Sequence, residues 1–281
     1  MEGQQLTAAL PQGPIRYREM GSGEPIVFVH GFLVDSRLWD GAAERLSADY
    51  RCILPDWPMG SHRAPMTANA NLSPPGIAQL IDSFLASLDL EGVTMVGNDS
   101  GGAMTQVMVT RHPRRVARLV LTNCDTHENF PPGIFKALPP LARVPGVMRA
   151  FAEPLRLELV RRTAFAPFAK SMIPDELVES WVRAGLEDGD VRRDTKKLTA
   201  GMNKRYTLEA AEKLRDFDKP TLLAWAPEDR FFPLSYAERL AEAIPDSRIV
   251  RIEDAKTFVA LDQPERLAEA IGDFMRGANP T

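Results

Sequence analysis

Along the chain, short runs that are apolar throughout alternate with stretches whose apolar residues recur every three or four positions. Two polar-apolar stretches open the sequence and end near Arg18, and Gly21-Ser22-Gly23 then reads as a turn. Ile26 to Val29 is apolar at every position, which is the pattern of a strand covered on both faces. After His30-Gly31-Phe32, the residues Leu38, Trp39, Ala42, Ala43 and Leu46 fall at helical spacing. Cys52-Ile53-Leu54 predicts a second buried strand. Ser73-Pro74-Pro75 then offers an N-cap with proline just inside the helix whose stripe is Ile77, Leu80, Ile81, Phe84, Leu85 and Leu88. Strands are expected at Val93 to Val96 and Leu119 to Leu121, with a helix over Met104 to Thr110 between them. Strict strand-helix alternation of this kind predicts a parallel sheet with helices on both faces.

The alternation breaks from Phe130 to roughly Tyr206, where the sequence is helical and punctuated by proline. It resumes with a helix near Leu208 to Leu214, a strand over Thr221 to Ala226, a helix over Ser235 to Ile244, a strand over Arg248 to Ile252 and a last helix from Pro264 to Met275. The expected organisation is therefore an α/β core built from residues 1–129 and 207–281, with residues 130–206 inserted as a helical cap. Within the insert, Met148, Phe151, Leu155, Leu157, Phe165, Phe168, Met172 and Trp181 suggest an apolar lid, although the same spacing also describes core packing.

Composition narrows the function. The chain has 281 residues, enough for a substantial core without staples, and its formal charge of -4 leaves no basic face for nucleic acid. Pro131 to Arg205 holds 14 Lys+Arg against 9 Asp+Glu, but the signs are interspersed as on a solvated helical face. No apolar run approaches a membrane span, and Met1 to Leu10 lacks the order of a secretory signal, so a cytoplasmic protein is expected. Cys52 and Cys124 stand in apolar runs and read as buried thiols. Neither metal-ligand spacing nor a phosphate loop occurs, and no cofactor is expected. The partner implied is a small hydrophobic molecule.

The chemistry concentrates in Gly97-Asn98-Asp99-Ser100-Gly101-Gly102, which follows a predicted strand and opens a helix. A nucleophile elbow reverses a strand into a helix within a few residues and needs small residues two before and two after the reactive one. Centring on Asp99 places Gly97 and Gly101 there; centring on Ser100 places Asn98 and Gly102, a poorer fit. The frame decides the reaction. A serine attacks an acyl carbon, whereas a carboxylate attacks a saturated carbon, displaces a halide or opens an epoxide, and is left as an alkyl ester.

These residues resemble the α/β-hydrolase superfamily, in its branch of haloalkane dehalogenases and epoxide hydrolases. The likeness runs from Ile26-Val27-Phe28-Val29-His30-Gly31 through the Asp99 turn to Asp262-Gln263-Pro264-Glu265-Arg266-Leu267. It implies a mostly parallel eight-stranded sheet flanked by helices, with an inserted helical cap. It also implies that His30-Gly31 shapes an oxyanion loop, that Phe32 and Ser100 supply backbone N–H groups to developing negative charge, and that Asp229 is the acid of a triad. Ser100 opens a helix, whose N-terminus favours an anion.

The pattern then fails at one place. The position that should hold the histidine base, after the last strand, is Thr257, and no histidine follows His127. A threonine hydroxyl has no useful proton affinity near neutral pH, so the hydrolysis of an Asp99 ester loses its base. His127, just beyond the Cys124 strand and flanked by carboxylates, is the candidate for a relocated base, and His62 a candidate for the entrance. Two family features are also absent: the halide-holding tryptophan after the nucleophile is Ser100, and of the cap tyrosines only Tyr206 occurs, at the boundary. The expectation is a cofactor-independent enzyme of the C–halogen, epoxide or ester hydrolysis class. The alternatives are a ligand-binding homologue that has lost turnover and a serine esterase using Ser100.

Overall fold

The computed structural model describes residues 4–277. Eight strands form one sheet: β1 (Gln4–Leu10), β2 (Gly13–Met20), β3 (Pro25–Val29), β4 (Arg51–Pro55), β5 (Val93–Asn98), β6 (Val116–Cys124), β7 (Thr221–Trp225) and β8 (Ser247–Arg251). Their spatial order is β1-β2-β4-β3-β5-β6-β7-β8. The β1–β2 and β2–β4 pairings are antiparallel, and every pairing from β4 to β8 is parallel. Of β1 and β2, the second alternates apolar and polar residues over Ile15-Arg16-Tyr17-Arg18, as a half-solvated ribbon should.

Successive side chains of a strand point to opposite faces, and this divides the core. On one face Val27, Val29 and Met95 pack against α2 (Pro74–Ser87) and α3 (Asp99–Arg111), preceded in the chain by α1 (Asp40–Leu46). On the other, Ile26, Phe28, Val96 and Val120 share a cluster with residues of α1 and of the final helix, Pro264–Met275. The segment between β6 and β7 runs through α4 (Leu138–Ala142), α5 (Val147–Ala152), α6 (Glu158–Phe165), α7 (Asp175–Glu187), α8 (Gly189–Gly201) and α9 (Lys204–Lys213). Leu155, Phe165, Val178 and Trp181 of this excursion belong to the same cluster as Phe258 and Val34, so it is packed onto the sheet's carboxyl edge. After β7 come α10 (Leu234–Ala243), α11 (Val259–Asp262) and the final helix, α12.

Two elements differ from the sequence reading in extent. The strand expected at Leu119 to Leu121 spans Val116–Cys124, because the polar Thr122 and Asn123 are buried and hydrogen-bonded rather than solvated. The helix expected from Met104 begins at Asp99, five residues earlier, through a Gly101-Gly102 pair that intrinsic propensity disfavours. Both thiols are free and buried, and burial pushes Cys52 up to about 12. Among the described residues no helix is long and apolar enough to cross a membrane.

The chain leaves β3 toward β4 on one side, and β5 returns on the other side of β3. The loops that follow β3 and β5 therefore diverge, which opens a crevice at their carboxyl ends.

Candidate active site

Asp99 stands at the junction of β5 and α3 with φ 52°, a left-handed conformation that costs a β-substituted residue energy; Ser100 does not adopt it. Close packing fixes the turn. A Cβ on Gly101 would lie 2.2 Å from the His30 carbonyl oxygen, and one on Gly31 would lie 2.2 Å from Asp99 Oδ2. The backbone of the loop after β3 and the carboxylate can approach each other only because Gly31 has no side chain.

That approach makes the central contact of the site. The Phe32 N–H donates to Asp99 Oδ2 at 3.1 Å. Burial pushes the Asp99 carboxyl up to about 7, the charge of Asp229 adds to the rise, and the backbone N–H groups of Phe32 and Ser100 oppose it. The Ser100 hydroxyl is buried beside the carboxylate without a complete hydrogen bond of its own.

Asp229 lies in the loop after β7. Its Oδ1 accepts the N–H groups of Phe231 (2.8 Å) and Phe232 (3.3 Å), and its Oδ2 accepts the hydroxyl of Thr257 at 2.9 Å. Burial raises this carboxyl too, against those donors. Thr257 is wholly buried, and its carbonyl accepts Asn98 Nδ2 at 2.7 Å. Asn98 also donates to Thr122 Oγ1 and the Asn123 carbonyl, while Asn123 exchanges two bonds with the backbone of Ala226. Two buried asparagines thus tie together the ends of β5, β6 and β7 and the loop that carries Thr257. Neither asparagine stands out by motif, but a polar amide at the carboxyl end of an otherwise apolar strand is the sequence signal that marks both.

The four histidines are spoken for elsewhere. His30 Nδ1 lies 2.9 Å from the Gly31 carbonyl and its Nε2 accepts the Trp57 N–H at 2.8 Å, so the ring is a neutral strut behind the loop; burial lowers its pKa. His62 is buried 3.4 Å from Asp194 of α8 and does not line the entrance as expected. His112 caps α3 near Asp82. His127, the expected replacement base, turns its ring toward Tyr236 with Nδ1 3.1 Å from Thr126 Oγ1, and the cavity beside Asp99 is not lined by it. His127 has a left-handed backbone, φ 49°, and its ring lies against Tyr236 rather than at Asp99, so it is not placed to act as the relocated base.

The residue that β6 does deliver is Asp125, which the sequence reading noted only as a carboxylate near His127. Its N–H donates to the Asp99 carbonyl at 3.3 Å, extending the pairing of β6 with the elbow. The side chain is 1% exposed, and among the described residues its Oδ1 has no hydrogen-bond partner. Burial holds this carboxyl well above the carboxylate range, and the Asp99 charge raises it further.

Above Asp99 lies a cavity of about 120 Å³ whose polar side chains are Asp99, Ser100 and Asp125. The rest is apolar: Phe32, Pro131, Phe135, Phe168, Met202 and Phe258 are among the residues lining it. Of the apolar insert residues singled out from sequence, Phe151, Leu155, Phe165 and Phe168 face the cavity, whereas Leu157 and Met172 are exposed and Trp181 is buried with its Nε1–H on Asp35. An apolar cavity of roughly this size accommodates a ligand about as large as benzene.

A family model described as the alpha/beta hydrolase fold matches residues 24–264. A haloalkane dehalogenase 2 from Mycobacterium tuberculosis is 27% identical over 269 residues, covering 92% of this chain and 91% of that protein. A 2-hydroxy-6-oxononadienedioate/2-hydroxy-6-oxononatrienedioate hydrolase from Cupriavidus pinatubonensis is 26% identical over 242 residues, 84% of this chain and 81% of its own. Among solved structures, a meta-cleavage product hydrolase from Pseudomonas fluorescens superposes with a TM-score of 0.79 at 22% identity, over 99% of both chains. A carboxylesterase from Bacillus subtilis gives 0.80 at 20% identity, over 99% of this chain and 93% of that one. At these identities the structural likeness establishes the fold.

Proposed function

From the premise that this chain belongs to the alpha/beta hydrolase fold family, we propose that it is a cofactor-independent hydrolase of a small hydrophobic compound, with Asp99 as its nucleophile. The observation that carries the reading is the Phe32 N–H on Asp99 Oδ2 at the floor of an apolar cavity. With Oδ2 held there, Oδ1 is the oxygen left to attack a saturated carbon. The same arrangement serves the second half-reaction. When water adds to Cγ of the resulting ester, the oxygen that takes the negative charge is Oδ2, which already accepts the Phe32 N–H, with the Ser100 N–H also directed at this carboxyl. The helical segment over residues 130–206 acts as the cap that keeps bulk water from the ester, and Asp229 and Thr257 act as a fixed backing for the loop rather than as a proton relay.

Incubation with alkyl bromides, epoxides and p-nitrophenyl esters, followed by intact mass measurement and peptide mapping, tests the assignment. The expected result is an alkyl ester on Asp99 from the bromides or a hydroxyalkyl ester from the epoxides, with or without turnover, that disappears in Asp99→Ala, and no acyl adduct from the p-nitrophenyl esters. Turnover that survives Asp99→Ala overturns it. The bond from Thr257 to Asp229 favours a second reading, a ligand-binding homologue, since it fills the base's place with a satisfied contact. Saturable binding of the same compounds without adduct or turnover would establish that reading instead.

A further inference from the structure

Asp125 is a buried carboxyl that the scheme above does not use. It stands in the same cavity as Asp99; among the described residues its Oδ1 has no hydrogen-bond partner, and no histidine, lysine or arginine lines that cavity. A carboxylate buried in this way keeps its charge only at a large desolvation cost, and the second charge on Asp99 adds to it. The two groups share a site that accepts one negative charge more readily than two. The backbone donors decide where that charge sits. Asp99 has the Phe32 and Ser100 N–H groups on it, whereas nothing donates to Asp125 Oδ1, so the pair rests as an Asp99 carboxylate beside an Asp125 acid.

We infer that Asp125 is the proton donor of this site, and that the substrate class is therefore an epoxide. This rests on Asp99 being the nucleophile. As Asp99 Oδ1 bonds to an epoxide carbon, the C–O bond breaks and the oxygen keeps the electron pair; the Asp125 carboxyl gives it a proton and becomes a carboxylate. The enzyme now carries a hydroxyalkyl ester. The Asp125 carboxylate then takes a proton from water as the water oxygen adds to Cγ, with Oδ2 taking the charge. Collapse breaks the Cγ–O bond to the substrate, and the departing oxygen takes the remaining acid proton of Asp99. The products are a diol, the Asp99 carboxylate and the Asp125 acid, which is the starting state. The net change is the addition of one water to the epoxide.

Alternative donors are poorly placed. Tyr206 does not line the cavity, and its hydroxyl pairs with Arg205. The Ser100 hydroxyl lies beside the charged Asp99, but an alcohol is too weak an acid to protonate a leaving oxygen at neutral pH. A halide needs no proton to leave, so a carboxylic acid in this position contributes most when the leaving atom is oxygen.

The test compares two electrophiles of one carbon skeleton, a terminal epoxide and the matching alkyl bromide, on wild type and on Asp125→Asn, which has the shape of the neutral acid. The rate of Asp99 modification is read by rapid-quench intact mass. In Asp125→Asn the epoxide rate is expected to fall roughly 100-fold relative to the bromide rate, in line with the loss of a general acid. The wild-type epoxide profile is expected to rise as Asp99 ionises near pH 7 and to fall at higher pH as Asp125 loses its proton; the variant keeps only the rise. Asp125→Glu restores part of the epoxide rate and the falling limb. An unchanged epoxide-to-bromide ratio in Asp125→Asn overturns the proton donor while leaving Asp99 as nucleophile. Wild-type protein that labels with neither electrophile overturns the Asp99 reading itself.

Discussion

Asp99 is held in a state that the rest of the chain would not choose. Its φ of 52° is strained, and burial raises its carboxyl to about 7 from an ordinary 3.8. A folded-state pKa above the unfolded one means that the native protein binds a proton the unfolded chain has released. The corresponding stability is fully present below about pH 4 and is lost as pH rises through 7. Each unit of displacement is worth about 1.4 kcal/mol, so Asp99→Asn, which never ionises, is expected to be more stable than wild type by several kcal/mol at pH 8. The gain should shrink as pH falls and vanish below pH 4, as read from urea midpoints across that range; a gain independent of pH would show that relief of backbone strain, not of charge, is responsible. The glycine spacing made Asp99 legible in the sequence, because steric need at a tight turn is a local property. Asp125 was not legible in the same way. Its significance comes from lying beside Asp99 across a parallel strand pair, and only the sheet brings the two together.

At the scale of elements, β3, β5, β6 and β7 were readable because continuous apolar runs bounded by turns have few other solutions, and the start of α3 was misplaced because propensity and packing disagree there. Gly101 and Gly102 lower helical propensity, yet the helix runs through both. Alanine at an open helical position would stabilise by about 1 kcal/mol relative to glycine. At Gly101 the added Cβ meets the backbone oxygens of His30 at 2.2 Å and Val29 at 2.4 Å, neither of which can rotate aside. Gly101→Ala is therefore expected to destabilise by more than about 3 kcal/mol, or to prevent folding, by forcing the end of β3 away from α3. Thermal melts check the sign. A stabilised variant would mean that β3 and α3 are not in contact as described, and that the Phe32 donor is not fixed over Asp99. Asn98 and Asn123 belong to the same scale: polar residues inside an apolar strand, whose reason is a loop that the sequence keeps more than a hundred residues away.

For the whole molecule, what matters is how the helical segment over residues 130–206 is fastened to the sheet. The break in strand-helix alternation located the segment in the sequence, since a helical stretch that long between two strands has no place in the sheet's layers. Its fastenings to the sheet side were invisible, because the Trp181–Asp35, Asp194–Met66 and Asp194–His62 contacts each pair residues far apart in the chain. Trp181 Nε1–H donates to Asp35, and Asp194 of α8, fully buried, accepts the Met66 N–H at 2.8 Å and the Arg193 guanidinium and lies 3.4 Å from His62 Nε2. Burial alone would raise the Asp194 carboxyl, but its bonds from His62, Met66 and Arg193 outweigh that and leave it below the ordinary value. A depressed folded-state pKa stabilises at pH above the unfolded value and is lost as pH falls through the folded one, so the fastening is complete at neutral pH and weakens in acid. Asp194→Ala leaves the Met66 N–H without its acceptor, at about 1–3 kcal/mol, while Arg193 keeps Asp190 and the Met66 carbonyl. Because the lost contacts join α8 to the loop after β4, the opening that they oppose is a separation of the helical segment from the sheet rather than global unfolding. Limited proteolysis at neutral pH is expected to cut within residues 130–206 roughly tenfold faster in Asp194→Ala, while cuts within the strands keep their wild-type rate. Equal acceleration at both places would mean that segment and sheet open as one unit, and that entry to the Asp99 cavity is not controlled at this contact.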